Sequence, residues 1–283
     1  MNRIRRIFIL TVITLIVLVI AVPALTGLLV DWWWFKEIGF QVVFTTQLLT
    51  RVWLFLAVGA LTAGVLYLNL RIAQQGVVPN PIVLRVGPSS PQLDVARTAR
   101  RVSLPLVLVA GLLGGLGATA LWSTVLQAMH ATPFGVTDPV FARDIGFYVF
   151  TLPLVSAVLG ILSSLTFISL LLLLFVYWLR TDIIVRPRLV RIERSAGIHI
   201  AIVLATLMLL TAVRLWVVDS ANLLYSTTGP LVGASYTDLH ATLPALRLSA
   251  VVAALAAGTV VFGALRDRLP RYALLSIGGY IVV

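Results

Sequence analysis

Six uninterrupted apolar runs, at 7–29, 48–70, 102–127, 154–178, 198–217 and 245–265, limit what this chain can fold into more than any other feature. At 1.5 Å per residue, about 20 residues of helix match the ~30 Å hydrocarbon layer of a bilayer. Backbone N–H and C=O groups find no water there, so a crossing segment must be a helix or part of a closed barrel. The runs are continuous and do not alternate every second residue, which excludes a barrel. Hydrophobic residues make up 60% of the chain and charged residues 11%, far from the half and quarter usual in soluble domains. The fold class is therefore all-α, a polytopic transmembrane helical bundle forming a single transmembrane domain over 1–283. A seventh run, 272–283, would make only ~18 Å of helix and is too short to cross. It reads as a partial span, so we expect six full spans plus a truncated seventh in a fragment or shortened product.

Charge sets the orientation. The net charge is +11, with 21 basic and 10 acidic residues. In a soluble protein this balance would point to nucleic acid, but no stripe of basic and aromatic residues matches a known reader, and none is expected as a partner. The cations fall between the apolar runs. With the N-terminus inside, segments 1–6, 71–101, 179–197 and 266–271 hold 16 basic and 4 acidic residues, and the outer segments hold 5 and 6. That bias places the N-terminus in the cytoplasm of a multi-pass cell-membrane protein. The first apolar run is 23 residues long, beyond the ~7–15 of a cleaved signal peptide, so it reads as an uncleaved anchor. Arg51, Arg214 and Arg247 lie near outer span ends and can snorkel to the headgroups.

The inner segments read as structural. Residues 76–91 are rich in Gly and Pro and form a loop by composition. Ser90 is placed to cap a short helix with Pro91 at its first position and Asp94 in its first turns. Arg97, Arg100 and Arg101 share one side of that helix, and Arg186, Arg188, Arg191 and Arg194 follow in the next inner segment. Both groups suit topology anchoring, with anionic lipid as the alternative partner beyond the bilayer itself. Small residues mark helix contacts: Gly111, Gly115 and Gly117; Ala60 and Gly64; and Ala250, Ala253, Ala254, Ala257 and Gly258.

Three outer stretches combine aromatics with acids. Loop one holds Asp31, Trp32, Trp33, Trp34, Phe35, Lys36 and Glu37. Consecutive indoles belong at the headgroup level, but an aromatic belt does not require the two acids. Loop two, 132–153, contains Asp138-Pro139 and Arg143-Asp144-Ile145-Gly146-Phe147-Tyr148-Val149-Phe150. Asp138 reads as a helix N-cap, and the loop is expected to fold over the outer mouth of the bundle, because bare loop backbone cannot sit in lipid. Loop three holds Asp219–Tyr225, then Ser235-Tyr236-Thr237-Asp238-Leu239-His240 and Pro244. These stretches, with Val43-Phe44-Thr45-Thr46, resemble uncharacterised protein family 0182, a group of large bacterial multi-spanning membrane proteins. The resemblance covers essentially the whole chain. It implies a cell-membrane location and a seven-helix membrane region followed by a large extracytoplasmic part, but it brings no reaction or ligand.

Asp31, Glu37, Asp138, Arg143, Asp144, Tyr236, Asp238 and His240 all fall on the predicted outer face and form the candidate polar cluster. The alternative is that they cap helices and pair with one another, Arg143 with an acid for instance. No catalytic, cofactor-binding or metal site is read: Cys is absent and there are three His. No Gly-x-Ser-x-Gly elbow, phosphate loop or Rossmann glycine pattern occurs. No Asp or Glu lies inside a span, whereas carriers and proton relays usually place ionisable groups there. A membrane anchor or scaffold for an extracytoplasmic part is the leading reading. A transporter or channel, and a membrane enzyme with an outer-face site, are the alternatives. The absence of Cys makes the orientation directly testable. A Cys introduced at Thr227 is expected to react with an impermeant thiol reagent in intact cells, and one at Arg191 only after permeabilisation.

Overall fold

The computed structural model describes residues 3–75, 83–84, 93–186, 189–227 and 232–282. In chain order the elements are α1 (Arg3–Glu37), α2 (Gln41–Ala73), β1 (Val83–Leu84), β2 (Leu93–Asp94), α3 (Val95–Ala118), α4 (Trp122–Met129), α5 (Leu152–Leu179), β3 (Ile183–Arg186), β4 (Leu189–Ile192), α6 (Arg194–Arg214), α7 (Ser220–Asn222), α8 (Leu243–Leu265) and α9 (Leu269–Val282). Five helical stretches are long and apolar enough to cross a membrane: Gln41–Ala73, Arg101–Met129, Phe147–Leu179, Arg194–Tyr225 and Asp238–Leu265. They coincide with the second to sixth apolar runs. The first run lies in α1, a continuous helix that is not counted among these five. The last run lies in α9, which has 14 residues.

The chain divides into two compact units, Met1–Trp53 and Leu54–Val283. In the first, α1 does not stop at the end of its apolar run. It continues through the Trp triplet to Glu37, so the segment expected as loop one is helical up to that point. The reason is the stop signal. Gly39 takes φ +77°, the left-handed conformation that suits a residue without a Cβ. Phe40 N–H bonds the Phe35 carbonyl at 2.9 Å and Gly39 N–H the Lys36 carbonyl at 3.2 Å, which is a Schellman closure. Beyond it Phe44 is buried, with its ring 5.9 Å from Trp32 and 5.5 Å from Phe35. All three indoles stay exposed, Trp32 least at 36% because one edge of its ring meets Phe44.

In the second unit α5, α6, α8 and α9 pack as sequential neighbours. Their core includes Leu173, Ile200, Val260 and Leu269, with Leu66 and Leu70 from α2 and Val107 from α3. The outward faces are apolar as well: Leu113, Phe175 and Leu255 are 62%, 55% and 66% exposed, a surface that suits lipid better than water. Gly111 and Gly115 do mark a close helix contact, whereas Gly64 and Gly117 do not. Gly111 and Gly115 of α3 meet Phe55, Gly59 and Ala63 of α2, and nothing lies within 4 Å of the Cβ position of Gly64. In α8, Ala250, Ala253 and Ala257 are buried as expected and Ala256 joins them, but Ala254 and Gly258 face out.

Several boundaries differ from the sequence reading. The all-α expectation omits two small hairpins. In one, Ile183 to Arg186 pair antiparallel with Ile192 to Leu189, β-branched residues that suit a strand, and Ile183 and Ile192 pack on the core. In the other, Asp94 pairs with Val83. Asp94 is therefore not in the first turn of a helix. The helix begins at Val95 and runs unbroken into the third apolar run, so Arg97, Arg100 and Arg101 stand on its first turns rather than on a separate short helix. Ser90, Pro91 and Arg188 lie outside the described residues. Glu193, not singled out from the sequence, caps α6, its Oε2 accepting from the N–H groups of Ser195 and Ala196 at 2.9 and 3.4 Å. Residues 219–225, expected as loop, continue the α6 helix to Tyr225.

Three wide π turns, Phe147–Thr151, Leu215–Asp219 and Asp238–Thr242, adjoin α5, α6 and α8. In the first and last, the residue closing the wide bond (Leu152 to Phe147 O, Leu243 to Asp238 O) directly precedes a proline. The Pro ring would crowd the carbonyl four residues back in a normal turn, and an extra residue relieves that crowding. The close α2–α3 approach yields a stability test. A Cβ at Gly115 would lie 2.5 Å from the Phe55 carbonyl oxygen, and one at Gly117 meets nothing within 4 Å. Gly115→Ala is expected to cost about 1–3 kcal/mol through overpacking and to lower the midpoint of heat unfolding in detergent. Gly117→Ala should leave the midpoint unchanged.

Candidate functional site

Asp31 and Glu37 stand exposed on the last turns of α1, in the first unit. The other six candidate residues belong to the second unit and fall in two local clusters, each built around carboxylates turned toward backbone.

The first cluster is the 132–148 loop. Pro139 and the turn after it leave several N–H groups without helical partners, and Asp138 collects them. Its Oδ1 accepts from Val140 N and Phe141 N at 2.8 and 2.7 Å; its Oδ2 accepts from Arg143 N at 3.0 Å and from the Tyr148 hydroxyl at 2.6 Å. The capping chemistry expected of Asp138 is present, but no helix follows it. The chain turns back instead, with Asp138 N–H bonding the Arg143 carbonyl at 2.9 Å and Thr137 bridging to Asp144. Ala142, at φ +54°, sits in the bend. Asp144 ties the loop's two ends, accepting from Phe134 N, Gly135 N and Gly146 N at 3.0, 2.9 and 2.7 Å. Arg143 gives Asp138 its backbone N–H, not its side chain; the guanidinium lies over the Phe147 ring, 4.4 Å from the centroid. The expected pairing of Arg143 with an acid is replaced by a cation–π contact. Phe141, Phe147 and Tyr148 then pack against Leu152, Val218 and Ala221, so the loop is seated on the ends of α5 and of the extended α6 helix.

Burial is the largest influence on the Asp138 carboxyl and opposes its ionisation. The Tyr148 hydroxyl and three backbone N–H groups outweigh it and hold the pKa below the ordinary 3.8. For Asp144 the Phe134 N–H is the leading cause and its pKa is lowered as well, against some desolvation.

The second cluster is 226–242. Gly233 N–H closes the loop on the Ser226 carbonyl at 2.8 Å. Asp238 is 9% exposed. Its Oδ2 accepts from Ser235 N and Ser235 Oγ at 2.9 and 2.8 Å, and its own N–H returns to Ser235 Oγ at 3.2 Å, a reciprocal cap. Tyr236 is exposed and stacks on His240, with centroids 3.9 Å apart and planes at 19°. His240 Nδ1 lies 3.0 Å from the Tyr236 carbonyl oxygen. Among the described residues no group of three His, Asp or Glu side chains is arranged to hold a metal.

Polar groups at the other helix ends were not singled out as a site. His199 Nε2 lies 3.0 Å from Asn69 Oδ1 and Nδ1 lies 2.9 Å from the Tyr177 hydroxyl. Asn69 Nδ2 donates to the Val65 carbonyl, which leaves Oδ1 as the acceptor. The imidazole therefore donates from Nε2, and a neutral ring accepts from Tyr177 at Nδ1. Nearby, Arg180 Nη1 donates to the carbonyls of Ala73 and Gln75. Its Nε is 3.0 Å from Asp182 Oδ2, an ion pair whose N–H is poorly aligned for a hydrogen bond. Burial pushes the Asp182 carboxyl up against the opposing pull of Arg180. The sequence holds only a faint signal of these contacts: an Asn and a His at the ends of different apolar runs.

Asp138 gives a pH prediction. A carboxyl whose folded pKa lies below its unfolded value adds stability above the ordinary range and loses it as pH falls through the folded value. The protein should therefore lose heat stability below about pH 3.8. Asp138→Ala should cost about 1.5–3 kcal/mol at neutral pH, as expected for losing hydrogen bonds to a charged group, and weaken that acid dependence. Thermal unfolding in detergent across pH reads both effects.

The model of an uncharacterised protein family, UPF0182, matches residues 8–283. A UPF0182 protein of Cupriavidus necator is 41% identical over 273 residues, covering 93% of this chain and 29% of that protein. One from Mycolicibacterium paratuberculosis is 35% identical over 287 residues, 97% of this chain and 28% of the other. One from Mycolicibacterium vanbaalenii is 37% identical over 258 residues, at 88% and 25%. The chain thus spans less than a third of the length of these relatives. No solved structure matches it. Family model and relatives agree over nearly all of the chain, which belongs to the UPF0182 family.

Proposed function

We propose that this chain is the membrane domain of a multi-pass cell-membrane protein and serves as anchor and scaffold for an extracytoplasmic part. In this reading α1 and the five long apolar stretches are six spans, α9 begins a seventh, and the N-terminus is cytoplasmic. The observation that carries the reading is how the outer carboxylates are used. Asp138, Asp144 and Asp238 each bond the backbone of their own loop, so these three acids are committed to holding the outer loops together. The arginine bias of the inner segments supports the orientation. The greater length of the relatives supports a further part.

A carrier is the second reading, favoured by the Tyr177–His199–Asn69 chain, which links α2, α5 and α6 through one titratable ring. Proteolysis of spheroplasts expressing the Cupriavidus relative separates the two. External protease is expected to remove the portion beyond the matched region and leave a protected membrane fragment. Survival of that portion until the cells are lysed would remove the anchor reading. An ion or solute flux in proteoliposomes that His199→Ala abolishes would put the carrier in its place.

A further inference from the structure

A cavity of ≈ 200 Å³ lies between the 141–148 loop, the Leu215–Asp219 turn and the start of α8, and two arginines, Arg143 and Arg247, line it. Each guanidinium rests on an aromatic ring of the same cavity. Arg143 lies 4.4 Å from the Phe147 centroid and Arg247 lies 5.5 Å from the Trp216 centroid. Stacking occupies one face of a guanidinium and leaves the N–H edges free to donate in plane. Among the described residues no carboxylate lines the cavity. The nearest acids in sequence are engaged elsewhere: Asp138 with backbone and Tyr148, Asp144 with backbone, and Asp219 with Arg214 at 3.6 Å. Among the described residues neither Arg143 nor Arg247 has an acidic partner. The Tyr148 hydroxyl, also at the cavity, is committed to Asp138.

Two like charges facing one small space repel each other, and an anion between them removes that cost while accepting charge-assisted hydrogen bonds. Arg247 stands near the start of α8. The volume is below the ~300–1,000 Å³ of sites that enclose a drug-sized ligand, so it fits a headgroup and not a nucleotide. The remaining wall is apolar, with Phe141 and Val217 beside the two rings.

We propose that Arg143 and Arg247 form a binding site for a phosphate group, held bidentately at the ends of α5, α6 and α8. An anionic phospholipid headgroup and a free phosphate share this chemistry. The site follows from the cavity itself and does not depend on the anchor reading or on which face is external.

The test uses the full chain in nanodiscs of phosphatidylcholine, with and without phosphatidylglycerol, read by native mass spectrometry for retained lipid. A parallel arm titrates inorganic phosphate into the phosphatidylcholine discs and follows heat stability. Wild type is expected to retain phosphatidylglycerol preferentially, with Arg143→Gln and Arg247→Gln each about tenfold weaker, as for one lost charge-assisted contact. Arg214→Gln, whose partner is Asp219, should bind as wild type. Loss of lipid retention in the two variants assigns the site to a headgroup. Stabilisation by phosphate in wild type alone, with no lipid preference, assigns it to a free anion. Equal lipid retention and equal phosphate response in wild type and the double variant would overturn the site. Should the Gln variants fail to fold, Arg143→Lys with Arg247→Lys keeps the charge but loses the fork. That pair is expected to bind several-fold more weakly, and binding equal to wild type would again overturn the proposal.

Discussion

A peptide group with no water beside it must find its hydrogen-bond partner within the protein. That requirement shapes this chain from end to end. Where side chains are apolar all round, as in α2 and α5, the helix supplies its own partners and the outward face is left to hydrocarbon. Where a helix ends, something else must take over the freed groups. Gly39 does so by folding the α1 terminus back on Phe35 and Lys36. Glu193 does so with a side-chain oxygen at the start of α6. Asp138 and Asp144 do so for a whole loop, with six backbone donors between them.

Asp138, Asp144 and Asp238 and the wide turns beside them serve the same requirement. Prolines at 153 and 244 prevent a normal turn at the start of α5 and α8, and the π turns at Phe147–Thr151 and Asp238–Thr242 absorb the misfit. The same turns bring Tyr148 to Asp138 and place Asp238 where Ser235 can cap it. Anionic oxygens turn inward toward amide hydrogens, while the cationic ends of Arg143 and Arg247 are left at the cavity with only aromatic rings beneath them. The electrostatic asymmetry of this helix end therefore results from loop closure and was not visible in the acid and base counts.

The apolar runs were legible because membrane-length hydrophobicity is a local property. Five of the six appear as helices of the expected kind, and the glycines of α3 do make the close helix contact. What the sequence hid depended on long-range geometry. The α1 helix outruns its apolar part because the stop lies at Gly39, ten residues beyond Leu29. Residues 219–225 look like loop by polarity, yet Ser220 Oγ bonds the Leu215 carbonyl and the helix goes on. The hairpin of residues 183–192 was obscured by its arginines. Asp138 reads from the sequence as a helix N-cap; it does collect amide hydrogens, but the fold it organises is a turn. Of the candidate cluster, Asp138, Arg143 and Asp144 were near in sequence and are joined through the loop they build. The association of Arg143 with Arg247 and Trp216 has no sequence counterpart, since three distant segments supply it.

The Arg180 side chain has a mechanical consequence. Its Nη1 is clasped by the carbonyls that end α2, while its own backbone ends α5 and Asp182 holds its Nε. Two helices from distant parts of the chain are thereby pinned at the same height. Any vertical slip of one past the other would pull a charged group from its partners toward oil, so the clasp acts as a depth stop that keeps the two rods level.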